Sequence, residues 1–322
     1  MSSGTVIIIA PGTDPHATAV RDRLTAMAVD AVLLDPGRFP GELRIALGEA
    51  PEDIVIDGRR IDARSVYIRD LALNPTGSAS TAADLDGEMQ RDWRRTMAAL
   101  RERSDFVLAL LHRWEQLGTP IYNPLSAYPR ITKPYQLALL AAAGLPVPAS
   151  CWTNDPEEVR RFARGRRVAY KPVAGGAATQ ELQPRDLEPA RLACLGAAPV
   201  CFQELLPGLD LRIYVVDGEV VTAIEIESDA LDFRQHERSM KVRTLDDGLR
   251  RACERATAIL GLRFTGMDVK FDARGAPRIL ELNPSPMFLG FDARCGTDIA
   301  GALAAALAAG RAGAPALAVS RP

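Results

Sequence analysis

Asp268, Glu281 and Asn283 bring three side-chain oxygen donors together near the C-terminal end of a 322-residue chain. They sit in two apolar-rich segments, 264–271 and 278–283, joined by the turn Asp272-Ala-Arg-Gly275, and the pattern predicts a β-hairpin. Glu281 and Asn283 are two residues apart, so on a strand they share a face, and Asp268 on the partner strand can meet them. Hard oxygen donors with no Cys or His among them suit Mg²⁺, with Mn²⁺ also compatible. Mg²⁺ held by few side chains completes its shell with nucleotide phosphates, so the hairpin points to an enzyme that uses ATP.

Other residues upstream carry compatible chemistry. Lys171 ends a predicted strand and precedes the small-residue loop 172–179, which contains Gly175 and Gly176. Such a loop can offer backbone N–H groups to phosphates, and the lysine adds a point charge; an ordinary surface lysine before a turn is the alternative. The segment Gln203-Glu204-Leu205-Leu206 leads through Pro207-Gly208 to Asp210-Leu-Arg212. A segment between two lobes can present its backbone to an adenine edge, with Glu204 accepting from the amino group or setting the hinge, and Asp210 reaching a ribose. Arg212 and Arg234 have the planar fork that binds carboxylate or phosphate, and Lys241 is a lesser candidate of the same kind. His236 is a candidate proton relay.

These residues need a scaffold. Thr5–Ala10 reads as a buried strand, 16–27 as a helix capped by Asp14, and 31–34 as a second strand, which opens an α/β domain. No GxGxxG follows the first strand, which argues against a Rossmann dinucleotide site. Segments 54–57 and 61–63 flank Asp57-Gly58 as a hairpin, and 65–69 reads as a strand. Residues 74–83 read as a loop, 86–118 as helical, and 120–124 as a closing strand and turn. Lys133 opens a helix, 168–171, 200–205, 211–216 and 220–226 read as strands, and 246–260 and 297–309 as helices. The expected domains are 1–124, 125–202 and 203–310, followed by a frayed tail over 311–322.

Composition narrows the function classes. Hydrophobic residues make up 47% and charged ones 25%, as in ordinary packed domains, and the net charge of −2 gives no support for a nucleic-acid partner. No apolar run approaches the roughly 18 residues of a membrane span. The N-terminus has no signal-peptide pattern, so the expected compartment is the cytoplasm. Five scattered cysteines without CxxC read as reduced thiols, and three dispersed histidines give no zinc site.

The motifs, taken in order, resemble the RimK-type branch of the ATP-grasp superfamily over roughly residues 125–308. The matching segments are Lys133 before a Leu-rich helix ending Gly144-Leu-Pro-Val-Pro148, Tyr170-Lys171-Pro172 with its glycine loop, Gln203-Glu204-Leu205-Leu206, and Asp210-Leu-Arg212. Asp232-Phe-Arg234, Gly266-Met-Asp268, Glu281-Leu-Asn283-Pro284 and Gly296-Thr-Asp-Ile-Ala-Gly301 complete the set. In the N-terminal half, Asp14-Pro-His16, Leu34-Asp35, Phe39-Pro40, Ser65-Val-Tyr67 and Tyr122-Asn-Pro124 are similar to the microviridin-type (graspetide) peptide maturases, as are Lys133-Pro-Tyr-Gln-Leu137 and Thr153-Asn-Asp-Pro156.

This resemblance implies an α/β (α+β) ATP-grasp fold: an N-terminal α/β pre-grasp domain, a small central lid domain and a C-terminal mixed-sheet domain. It implies that Lys133 and Lys171 bind ATP phosphates, with Gly175 and Gly176 in the covering loop. Glu204 and Leu205 would form the adenine hinge, Asp210 would meet the ribose, and Arg234-Gln235-His236 would lie over the phosphates. Asp268, Glu281 and Asn283 would hold Mg²⁺, and Arg212 would hold a carboxylate or acyl phosphate. The expected activity is ATP-dependent amide or ester formation on a carboxylate-bearing peptide or protein, with a small amino acid as the alternative substrate and a non-catalytic ATP-binding protein as the rival class. Self-association into a homo-oligomer is left open. The chain departs from the RimK pattern in three places: the loop 173–179 is not Gly-Ser-rich, His236 stands where Asn is usual, and 283–292 is unusually apolar.

Overall fold

The computed structural model describes residues 4–71, 79–174, 177–228 and 237–311, with 79–86 and 237 described by backbone alone. The chain opens with β1 (Thr5–Ile9), α1 (Pro15–Ala26) and β2 (Ala31–Leu34). A small meander follows, β3 (Ile45–Leu47), β4 (Ile54–Ile56) and β5 (Arg59–Arg60), then β6 (Ala63–Ile68), α2 (Ala79–Gln116) and β7 (Ile121–Tyr122). The main N-terminal sheet runs β2-β1-β6-β7, every pair parallel. As expected, Asp14 caps α1, its Oδ1 accepting from the Ala17 amide at 2.8 Å.

The local sequence was misleading at two places in this domain. Asp57 and Gly58 both adopt positive φ, as a two-residue hairpin requires. The partner of β4 is nevertheless Arg59–Arg60, and Ala63 already belongs to β6, which the parallel sheet claims. Helix α2 starts at Ala79, inside the stretch expected to be a loop, and Asp92 interrupts it with a non-helical φ of −157°.

After α3 (Lys133–Ala142) comes a four-stranded antiparallel lid sheet: β8 (Ser150–Thr153), α4 (Pro156–Ala163), β9 (Val168–Pro172), β10 (Gln180–Glu181), α5 (Pro189–Leu192) and β11 (Val200–Glu204), in strand order β10-β9-β11-β8. Its own small core is Val159, Val168, Leu192, Leu195 and Phe202. The expected break between residues 202 and 203 falls inside β11, whose ladder with β8 and β9 continues through Gln203; the chain leaves the lid only after Glu204. At that exit a Cβ on Gly208 would stand 2.6 Å from the Phe271 carbonyl oxygen, so the turn needs glycine to lie against the next sheet.

That next sheet is β12 (Asp210–Val216), β13 (Glu219–Ser228), β14 (Glu237–Val242), α6 (Asp247–Leu260), β15 (Phe264–Phe271) and β16 (Pro277–Asn283), in strand order β14-β13-β12-β15-β16. Every neighbouring pair is antiparallel, whereas a mixed sheet was expected; short turns join β12 to β13 and β15 to β16, which leaves those pairs no other direction. Helices α3 and α6 cover one face, with Leu137, Leu140, Leu249 and Ile259 packed on Leu211, Ile213, Met267 and Ile279. Helix α3, expected to belong with the lid, is therefore part of this layer.

The chain finishes with α7 (Leu289–Cys295) and α8 (Ile299–Ala309). Helix α8 joins the two large domains. Its Ile299, Ala300, Leu303, Ala304 and Leu307 share one core with Val20 and Leu24 of α1, Tyr67, and Tyr214 and Ile224 of the C-terminal sheet. Its alanines let the backbone approach closely, and Ser65 Oγ donates to the Leu307 carbonyl at 2.9 Å.

A second join is polar. Asn123, just past β7, is buried; its Nδ2 donates to the Phe264 and Pro284 carbonyls, both at 2.7 Å, and its Oδ1 accepts from the Arg263 and Phe264 amides at 2.6 and 2.9 Å. Asn123→Leu strips all four backbone groups of their partner, which should cost about 3 kcal/mol and lower the thermal midpoint by about 10 °C. A midpoint within about 2 °C of the wild type in a calorimetric scan would refute this role.

Candidate active site

Between the lid and the C-terminal sheet lies a cleft of about 410 Å³ lined by Lys133, Lys171, Glu204, Leu205, Asp210, Arg212, Asp268, Glu281 and Asn283. The three proposed metal ligands meet because of strand register. Asp268 is paired with Glu281, and Gly266 with Asn283, while Met267 and Leu282 turn to the opposite face and into the core. A bulge between Asp268 and Val269 leaves Leu280 without a ladder partner, and Leu280 joins Glu281 in lining the cleft.

The same register builds a row of charges. Arg212 is opposite Asp268 on the adjoining strand, and its Nη1 donates to Asp268 Oδ1 at 2.6 Å. At the other end Lys133 Nζ lies 2.8 Å from Glu281 Oε2. The order is therefore cation, carboxylate, carboxylate, cation. Burial pushes the Asp268 carboxyl up, and the Glu281 charge adds to this, while Arg212 opposes it. Burial also acts to raise Glu281, but Lys133 and then Lys171 outweigh it and hold its carboxyl below the usual range. Two carboxylates side by side on the cleft wall can take a further positive charge, and Asn283 adds a neutral oxygen next to them. Its Oδ1 already accepts from the Ser285 amide at 3.0 Å, which fixes the side chain. The donor set fits Mg²⁺, which binds through one or two carboxylates and takes its other oxygens from phosphate and water.

Arg212 is 7% exposed, and its Nε is buried with no partner among the described residues. Lys171 Nζ reaches Gln203 Oε1 at 3.3 Å on the lid side. Asp210 pairs with Lys270 at 2.5 Å, which neutralises it beside the hinge. Leu205 lines the cleft, but its amide donates to the Arg167 carbonyl at 3.0 Å, so only its side chain and carbonyl are available to a purine. Glu204 Oε2 makes a long contact of 3.4 Å with the Ala149 amide. Lys241 is not brought into this cleft; it lies on β14, paired with Glu225 at 2.8 Å. Gly175, Gly176, Arg234, Gln235 and His236 lie outside the described residues.

The structure adds Lys270 and Leu280 to the cleft lining, together with His16, Gln203 of the hinge segment, and Met287 and Phe291 of the apolar stretch 283–292. Lys270 was accessible to inference, being two residues from Asp268 on one strand. Leu280 was not, because a regular strand would turn it to the core. Arg69 clamps the segment beyond Asn283, donating to the Ser285 carbonyl and Oγ at 2.7 and 2.6 Å while pairing with Asp14 at 3.1 Å.

Gly266 gives Arg212 its place. A Cβ there would lie 2.5 Å from Arg212 Nη2 and 2.7 Å from Pro286 Cβ. Gly266→Ala is expected to displace the guanidinium and lower kcat by about 10²-fold with little change in nucleotide binding. Steady-state ADP release and calorimetric titration with ADP check this, and an unchanged kcat would show that the position of Arg212 is immaterial. Lys171→Met is expected to raise the KM for ATP by about 10-fold, the effect of one lost charge-assisted contact; a KM equal to the wild type's would remove Lys171 from the nucleotide site.

The chain is similar to proteins of known family. Residues 202–307 match the model of the RimK-like ATP-grasp domain. The ATP-grasp ligase PsnB, solved in complex with a phosphomimetic variant of a minimal precursor, Mg and ADP, is 47% identical, with 95% of this chain and 98% of that one covered and a TM-score of 0.89. The ribosomal protein bS6–L-glutamate ligase of Salmonella paratyphi B is 30% identical over 207 residues, which is 60% of this chain and 69% of the relative. A probable alpha-L-glutamate ligase of Shewanella halifaxensis is 28% identical over 232 residues, 67% of this chain, and the match spans about half of that relative's length, 50%. With its charge row and antiparallel platform facing a separate lid sheet, the chain belongs to the ATP-grasp ligases.

Proposed function

We propose that this ligase activates a side-chain carboxylate of a precursor peptide with ATP and joins it to an amine or hydroxyl, giving an amide or an ester. The observation that carries the reading is the nearly full-length likeness to PsnB, a ligase solved with its precursor, combined with a cleft that holds the charge row. A carboxylate oxygen attacks the γ-phosphorus, the bond to ADP breaks, and an acyl phosphate forms. The acceptor then attacks the acyl carbon, phosphate leaves, and the acceptor's proton departs with it.

Each residue has a role in this sequence. Lys133 and Lys171 face the phosphates, Glu204 and Leu205 the base, and Asp210 the ribose. Arg212 holds the carboxylate and then the acyl phosphate. Asp268, Glu281 and Asn283 would hold Mg²⁺, which neutralises the charge of the transferring phosphate when bound. The lid sheet closes on the nucleotide and excludes water from an intermediate that water would destroy. Five cysteines stand as free thiols, and no helix among the described residues is long and apolar enough to cross a membrane, in keeping with work in the cytoplasm, where ATP is available.

The test is direct. A peptide carrying Asp or Glu together with Thr or Lys is incubated with Mg·ATP, and each bond formed should remove one water from the peptide mass and release one ADP. Glu281→Ala with Asn283→Ala should lower turnover by at least about 10³-fold while the fold, read by circular dichroism, persists. Full activity in the double variant would remove the metal assignment. Turnover with free glutamate and none with any peptide would instead favour a small amino-acid substrate.

A further inference from the structure

His16 belongs to the N-terminal domain, yet it lines the same cleft as Met287, Gly290 and Phe291. It stands in the first turn of α1 and is 5% exposed. Its Nδ1 accepts from the Phe288 amide at 3.3 Å, and its ring meets the Phe288 ring edge-on at 4.6 Å between centroids. Burial, with Arg69 in support, holds its pKa below the ordinary histidine value, so the ring is neutral at pH 7. A backbone N–H can only donate, so Nδ1 carries the lone pair and the proton resides on Nε2.

Among the described residues that proton makes no hydrogen bond. Asp14 is occupied by the Ala17 amide and Arg69, and Asp292 by Thr297 Oγ1 and the Ile299 and Ala300 amides. The Met287 carbonyl is taken by Tyr214 Oη. A neutral, fixed, nearly buried donor is therefore left on the lining of the cleft that also contains Arg212.

We infer that His16 is a catalytic hydrogen-bond donor, its Nε2–H placed to bind the carbonyl oxygen of the acyl phosphate and the oxyanion that forms there when the acceptor attacks. This rests on the ligase reading above. When the acceptor oxygen or nitrogen bonds to the acyl carbon, the carbonyl electron pair moves onto the oxygen facing His16. It returns as the bond to phosphate breaks, and the departing phosphate takes the acceptor's proton. His16 neither gains nor loses a proton in the cycle, which matches a ring whose Nδ1 is tied to a backbone amide. The donor acts on the second half-reaction, after ADP has formed.

The experiment compares wild type with His16→Ala, His16→Gln and His16→Phe, using whichever carboxylate the wild type turns over, peptide or free glutamate. Bond formation is followed by mass, and the acyl phosphate is trapped with hydroxylamine as the hydroxamate. His16→Ala and His16→Phe should each lower kcat for bond formation by about 10²-fold, leave the KM for ATP nearly unchanged, and still yield hydroxamate. His16→Gln, which keeps an N–H donor, should recover part of the rate. A merely structural role would instead be satisfied by His16→Phe, which fills the space beside Phe288 without a donor. Wild-type kcat in the Phe variant, or loss of hydroxamate in step with product, overturns the inference and leaves the ligase reading intact. A wild type that releases no ADP with any carboxylate overturns both.

Discussion

The site depends on an arrangement that ought to repel itself: two carboxylates, Asp268 and Glu281, held as direct neighbours across a β-ladder. Like charges opposite one another on a sheet are destabilising, more so where water is scarce. The fold tolerates them because the next strand supplies Arg212 and helix α3 supplies Lys133, one cation at each end. This requirement explains much of the local design. Gly266 is small so that Arg212 can lie flat over it, and α3 packs on the C-terminal sheet so that its first residue reaches Glu281. The row is balanced but still has capacity for a dication and the anions it brings.

The lid is built on different terms. Its core is small, and two short connections join it to the larger body, 143–149 on entry and 205–209 on exit, the second with Gly208 pressed against Phe271. Sub-structures with little buried apolar area open at low cost. A sheet with so small a core of its own is the part of the molecule that opens at least cost. The platform, by contrast, has helices α3 and α6 on one face and α8 on the other, and it provides the rigidity that positioning needs.

Period and chemistry made much of this readable in advance. Alternation in 264–271 and 278–283 correctly placed Glu281 and Asn283 on one face, since strand geometry leaves no other option. The Asp14 cap and the Asp57-Gly58 turn were readable for the same reason: each is fixed by a few neighbouring atoms. Tertiary effects were not readable. Whether Ala63 pairs with β4 or with β1 is decided by a parallel sheet assembled from distant segments. Leu280 faces the cleft only because one residue of β16 lacks a partner, and no local pattern announces a bulge. The allegiance of α3 to the platform rests on Leu137 and Leu140 meeting a sheet encoded a hundred or so residues later. His16 escaped notice because its significance comes from Phe288, at the far end of the chain.

The N-terminal sheet contributes no strand to the ATP platform, yet its four strands are parallel and their carboxyl ends all point one way. In open α/β sheets that crest is where ligands ordinarily bind. Here β1 leads to Asp14 and His16, β6 to Arg69, and β7 to Asn123, and these residues grip the peptide from Pro284 to Phe288. The domain treats the exit of β16, the strand of Glu281 and Asn283, as a captive ligand. A fold module suited to recognising small molecules is thereby turned into a clamp, and its recognition surface passes from a diffusible compound to the segment that follows Asn283. Changes on that crest would retune the reaction through the captive peptide and leave the nucleotide chemistry in place.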